Sequence, residues 1–193
     1  MRKSVLFLAL AGGLAATSGS ASEDPALEGF VQDSRALVKT FAGALKGELQ
    51  AAIEAGGPAH AISVCNVRAP EIAAELSTPG EKTIGRTSHK LRNPANAPDG
   101  WETKVLDEFR QRAMAGESLK GMERTERFQD ESGTTYRYMK AIPVGQVCLT
   151  CHGADIDPEL KAEIDRTYPD DQATGFELGQ LRGAFTITKT TAE

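Results

Sequence analysis

Between residues 25 and 55 the apolar positions Leu27, Phe30, Val31, Leu37, Val38, Phe41, Leu45, Leu49 and Ile53 recur mostly at three- and four-residue intervals. That is the period of one helix face. Gly56-Gly57-Pro58 ends the run, because two glycines and a proline cannot extend the hydrogen-bond ladder. A second helical stretch passes through Ile62, Val64 and Cys65, restarts at Pro70 and runs to about Leu76, with a turn at Thr78-Pro79-Gly80. Residues 82–88 read as a short extended piece, and 93–100 as a loop too rich in Pro and Asn for regular structure. Asp99 is placed to cap a helix from Trp101 to about Ala115, with Trp101, Val105, Phe109 and Met114 on its inner side. From Glu123 the pattern changes: residues 123–130, the turn Glu131-Ser132-Gly133 and residues 134–144 read as a β-hairpin. A short helix follows from Asp157-Pro158 to before Pro169, and residues 183–190 alternate Phe185 and Ile187 with Thr186 and Thr188 as a closing strand. Helices first, then an antiparallel sheet with a helical insertion, predict an α+β fold.

The amino end has a different grammar. Met1-Arg2-Lys3 is basic, residues 5–16 are apolar, and Thr17-Ser18-Gly19-Ser20-Ala21 is a small-residue stretch. The apolar run is well short of the roughly 20 residues that span a bilayer, so this reads as a signal peptide cleaved after Ala21. No other stretch is long enough to span a membrane. The expected organisation is a leader over 1–21, an N-terminal helix over 22–57 and a folded domain over 58–193, working in a bacterial periplasm. Composition adds exclusions. With 193 residues, 40% hydrophobic and 25% charged, the chain has the apolar content of a globular domain rather than a disordered one. A net charge of -5 and no basic cluster interleaved with aromatics argue against a nucleic-acid partner.

Three cysteines cannot all pair with one another, and an oxidising compartment makes the leftover thiol a chemical question. Two of them lie in Cys148-Leu149-Thr150-Cys151-His152. C-x-x-C-H is the attachment signature of c-type haem: the thiols add to the two vinyl groups as thioethers, and the adjacent histidine becomes the proximal iron ligand. Structural zinc would need four ligands, and no second C-x-x-C or H-x-x-x-H is present. A thioredoxin-like dithiol would sit between a strand and a helix start in a β-α-β pattern, whereas this motif follows a hairpin strand. The reading is one covalently attached haem c, held by Cys148, Cys151 and His152.

No Met or His follows His152, so a sixth iron ligand must come from upstream. The candidates are Cys65, His60, His89, Met114, Met122 and Met139. Cys65 stands out because it has no disulfide partner once Cys148 and Cys151 carry haem, and a thiolate on ferric iron resolves that. A buried structural cysteine is the competing reading. His89 and Met139 are the next candidates.

A wider set of residues resembles one family. Ala61-Ile62-Ser63-Val64-Cys65 with Ala69-Pro70-Glu71-Ile72-Ala73, Arg86-Thr87-Ser88, Arg92-Asn93-Pro94, Pro98-Asp99, Trp101-Glu102, Tyr136-Arg137-Tyr138-Met139-Lys140, the haem motif with Gly153, and Ala173-Thr174-Gly175-Phe176 leading to Gly183-Ala184 are similar to a family of exported monohaem c proteins. The family is typified by a cyanobacterial haem protein, and related domains precede histidine kinases and chemotaxis receptors. The resemblance implies a PAS-like antiparallel sheet flanked by helices. It also implies an iron ligated by a histidine and a cysteine thiolate, here His152 and Cys65.

With that ligand pair, the thiolate stabilises Fe(III) and the expected midpoint potential is low. Reduction weakens the Cys65 bond and opens a position for CO or NO. Arg86, Lys90, Arg92, Arg137 and Lys140 are candidate cations for the haem propionates. Tyr136 and Tyr138 share one strand face, either lining the haem or packing in the core. The expected function is a redox or small-gas sensor that signals to a separate periplasmic partner protein by ligand exchange at Cys65. The alternative is a single-haem electron carrier. An enzyme is not expected, since both axial positions are filled and no distal acid/base pair is evident.

Overall fold

The structure is a computed structural model and describes residues 24–191. The leader and cleavage site expected over residues 1–21 lie outside the described residues. Helix α1 (Pro25–His60) opens on Asp24, whose carboxylate accepts from the amides of Ala26 and Leu27 at 3.0 and 3.3 Å. Helical dihedrals fail at Gly56 and Gly57, the latter at φ +76°, so the expected stop is present and only a short turn continues to His60. The next segment departs from a plain helix. Residues Val64–Arg68 form a π-helical turn, in which the Ala69 amide reaches the Val64 carbonyl, before α2 (Ala69–Glu75). The cause is local: Pro70 has no N–H for the Asn66 carbonyl and its ring would collide with it, so the backbone widens by one residue.

Four antiparallel strands, β1 (Lys82–Thr87), β2 (Glu123–Asp130), β3 (Gly133–Pro143) and β4 (Leu181–Thr191), form one sheet in the order β1-β4-β3-β2. Helix α3 (Gly100–Met114) precedes the hairpin, capped by Asp99 and Glu102 in a reciprocal box with bonds of 2.8 to 3.0 Å. Helices α4 (Gln146–His152) and α5 (Pro158–Thr167) form the insertion between β3 and β4. The α+β class expected from the pattern is what the chain adopts. Among the described residues no helix is long and apolar enough to cross a membrane.

The sheet is covered on both faces, and strand alternation decides which residue serves which side. On one face Phe30, Val38 and Phe41 of α1 and Ile72 of α2 pack on Ile84, Tyr136, Tyr138 and Ile187. On the other, Val105, Leu106 and Phe109 of α3 pack on Met139, Ala141 and Ala184, with Leu119 and Met122. Tyr136 and Tyr138 are therefore core residues. Met114 is not on the inner side of α3: as its last residue it has run past the sheet and is 82% exposed, while Leu106 is fully buried.

Glu123 bolts α1 to the hairpin. Its carboxylate accepts from Arg35 Nε at 3.0 Å and from the Tyr138 hydroxyl at 2.8 Å, with Lys140 Nζ at 3.5 Å. The Arg35 hydrogen bond, reinforced by Tyr138 and Lys140 against partial burial, holds the Glu123 carboxyl below its usual 4.5. A depressed carboxyl contributes stability that is present above the unfolded pKa and lost as pH falls through the folded one. Glu123→Gln is thus expected to lower the melting temperature at neutral pH. The gap from wild type should close as pH drops below about 4.5, which thermal unfolding across pH measures directly; a gap constant with pH would show that the charge is not what stabilises the contact.

Register slips at the start of β4. Ile142 pairs with Gly183 but Pro143 pairs with Leu181, leaving Arg182 as the extra residue of a β-bulge. Gly183, at φ +156°, is where the bulge passes β1: a Cβ there would fall 2.3 Å from the Thr87 carbonyl oxygen.

Candidate functional site

Helix α4 presents Cys148, Cys151 and His152 on one side, because positions i, i+3 and i+4 of a helix are neighbours. Cys148 packs with Val144, Ala173 and Phe176, and Cys151 packs with Ile62, Leu160, Ile164 and Tyr168. None of the three cysteines is in a disulfide, and each is half-buried. The carboxyl end of α4 is fixed by the loop before β4. The Gly153 amide returns to the Leu149 carbonyl at 2.9 Å, and the Phe176 and Gly175 amides bond the His152 and Gly153 carbonyls, each at 2.9 Å. Gly153 is needed there because a Cβ would lie 2.6 Å from the Leu149 oxygen.

His152 is oriented by one bond. Its Nδ1–H donates to the Ala173 carbonyl at 2.6 Å, which fixes the tautomer and leaves the Nε2 lone pair free to ligate. Burial, with the charges of Arg182 and Arg92 opposing a proton, pushes its pKa down to about 3, so the imidazole stays neutral over the physiological range. The Phe176 ring stands edge-on to it, centroids 6.3 Å apart. Arg92 ties these parts together. It donates to both Asp171 oxygens at 3.1 and 3.0 Å, to the Cys151 carbonyl at 2.6 Å and to the Ala173 carbonyl at 3.3 Å.

Cys65 comes to this site from the π-helical turn. Ile62, three residues before it, packs in the same cluster as Cys151, and Cys65 is among the neighbours that, after burial, push the Cys151 thiol up. Residues far apart in sequence are thus gathered around α4. A π-bulge displaces one residue out of the helical register, a device frequent at functional sites.

The other candidate ligands lie elsewhere. Met122 and Met139 are buried in the core under α3, Met114 points into solvent, and His60 is exposed at the end of α1. His89 Nε2 lies 3.3 Å from Asp107 of α3. Of the candidate cations, Arg86 and Arg92 are at the site, and Lys90 sits beside it, its Nζ on the Thr174 carbonyl at 2.8 Å and 4.8 Å from the Phe176 ring centre. Arg137 and Lys140 are not: Arg137 pairs with Asp99 at 2.6 Å and stacks on Trp101, at the start of α3, while Lys140 faces Glu123 on the neighbouring strand β2. Arg182, Asp171 and Tyr168 carry no motif that marks them in sequence. The stretch Ala173-Thr174-Gly175-Phe176 does, and it supplies the loop that seats α4.

These features have a counterpart among solved structures. The crystal structure of the cyanobacterial heme-protein Tll0287 aligns with a TM-score of 0.58 at 24% identity, over 89% of this chain and 99% of that one. That likeness establishes a shared fold. No curated protein matches the chain at a significant level. The sequence model of the Tll0287-like family, however, matches residues 22–189, a span that takes in α1, the π-helical turn with Cys65, the α4 motif and nearly all of β4. The chain belongs to the Tll0287-like family.

Proposed function

We propose that this chain carries one covalent haem c and acts as a periplasmic redox or small-gas sensor, with Cys65 as the ligand that moves. Cys148 and Cys151 supply the thioether sulfurs, His152 Nε2 the proximal ligand and Cys65 the distal thiolate. When bound, the haem supplies one-electron redox chemistry and affinity for diatomic gases. The observation that carries the reading is the gathering of Cys65 with Cys151 beside a His152 whose Nδ1–H is already committed to Ala173. The residues fit the group in a further respect: Arg86 and Arg182, which form no ion pair among the described residues, both act on His152, and haem carboxylates need cations.

Within this reading His152 is the fixed ligand, held by Ala173 and the Arg92 network. Cys65 is the adjustable one, carried on a turn whose hydrogen bonding is already irregular. A thiolate favours Fe(III), so Cys65 would be the ligand to leave on reduction, and α2 and α1, which flank its turn, are the elements that would register the change. His152 and Cys65 would together hold the iron at rest, so the proposed role is non-enzymatic and the proposed output is a contact with a partner protein. The test is an optical titration of the haem-loaded protein. After dithionite reduction, CO is expected to bind rapidly and completely. A reduced form that stays six-coordinate and refuses CO would leave an electron carrier in its place.

A further inference from the structure

Three arginines approach His152 from three separate segments: Arg86 from β1, Arg92 from the loop after it, where it meets the Cys151 carbonyl at 2.6 Å, and Arg182 from the bulge of β4, beside the Phe176 ring that stands edge-on to His152. Their charges are mutually unfavourable. Arg92 and Arg86 each lower the pKa of Arg182, and all three oppose protonation of His152. Only Arg92 has a carboxylate, Asp171 at 3.0 Å. Among the described residues Arg86 and Arg182 form no ion pair. Arg182 Nη1 donates to Ser88 Oγ at 3.2 Å and to the Lys90 carbonyl at 3.3 Å, and its guanidinium lies 5.3 Å from the Phe176 ring centre; Arg86 lies over Phe41 at 5.8 Å. Desolvation is the largest influence on both, lowering Arg86 and bringing Arg182 to about 10, although each is only half-buried by area.

Two desolvated cations with neutral partners are an unfavourable arrangement unless an anion completes it. The backbone takes pains to build it. Regular alternation in β4 would not leave Arg182 outside the pairing; the bulge does, and Gly183 is the residue that lets the bulge pass Thr87. We propose that Arg86 and Arg182 form a two-carboxylate site that receives the propionates of the haem. The inference rests on the haem reading above. It sorts the cations by role: Arg86 and Arg182 bind the group, while Arg92, already saturated by Asp171 and two carbonyls, positions α4.

The full chain with reduced thiols and no haem is titrated with protoporphyrin IX and with its dimethyl ester, following porphyrin fluorescence. In parallel, midpoint potentials are measured on the haem-loaded forms. Wild type is expected to bind the diacid at least about tenfold tighter than the diester, because charge-assisted bonds to each carboxylate are lost on esterification. Arg86→Met/Arg182→Met is expected to bind the two alike, to melt higher than wild type without haem, and to have a lower potential with it. Arg182→Lys, which keeps the charge, restores part of the preference and guards against a folding defect. Equal binding of diacid and diester by wild type, or a haem-loaded double variant with unchanged potential, would overturn the anion site and leave the haem assignment intact. A wild-type chain that binds neither porphyrin and acquires no covalent haem would overturn the assignment itself.

Discussion

In the haem-loaded protein, Cys65→Ala is expected to abolish the low-spin thiolate signature of the ferric iron while leaving the haem covalently attached. The two effects separate because they reside on different segments. In the proposed reading attachment would depend on Cys148 and Cys151 of α4, whose seat is built by the loop from Asp171 to Phe176, and the thiolate would come from the π-helical turn that leads into α2. Loss of the thiolate removes the ligand that favours Fe(III), so the midpoint potential rises and ferric iron becomes high-spin or takes water. Cys65 is half-buried rather than central to a core cluster, so truncation to alanine deletes few packing contacts and the fold persists. Electron paramagnetic resonance of wild type and variant reads the result. An unchanged ferric spectrum would remove Cys65 from the iron and, with it, the proposed switch.

The largest effect on stability is expected at Arg92. Its side chain is 9% exposed and that of Asp171 is 1% exposed, so the pair is desolvated. Truncating one partner leaves the other charge buried and alone, which costs about 3–5 kcal/mol. Arg92→Ala also releases the Cys151 and Ala173 carbonyls, the second of which orients His152. Arg92→Lys would recover only part of the loss, since an ammonium cannot match both Asp171 oxygens and two carbonyls in one plane. Arg92→Met/Asp171→Leu, which removes both charges, is expected to regain most of the stability. Urea unfolding of the haem-free chain decides the matter, and a loss under about 1 kcal/mol for Arg92→Ala would mean that the pair is solvated like a surface ion pair.

The sequence carried what is local. Gly56-Gly57-Pro58 broke α1 where expected because φ and the missing N–H are properties of those residues alone, and the hairpin followed from its turn and its two-residue period. Cys148, Cys151 and His152 stood out because haem attachment needs that spacing, and the structure sets them on one side of α4. Cys65 stood out by a different route: it had no disulfide partner. Long-range placement was not visible. Pro70 signals a local disturbance, but nothing in Val64-Cys65-Asn66 says that the helix widens instead of ending. Arg137 and Lys140 looked like haem cations because their motif is close to the haem motif in sequence; the register of β3 against β2 sets Lys140 opposite Glu123, and the packing of α3 on the sheet brings Asp99 and Trp101 to Arg137. Arg182 was overlooked for the converse reason, since only the slip in pairing between β3 and β4 singles it out.

Covalent haem at α4 is read most directly from the intact mass of the exported protein under denaturing conditions, after production alongside a c-type haem maturation system. A single species heavier by one haem is expected, with the haem resisting acid-acetone extraction in wild type and leaving in Cys148→Ser/Cys151→Ser. Recovery of the bare polypeptide, with Cys148 and Cys151 joined as a disulfide, would contradict it.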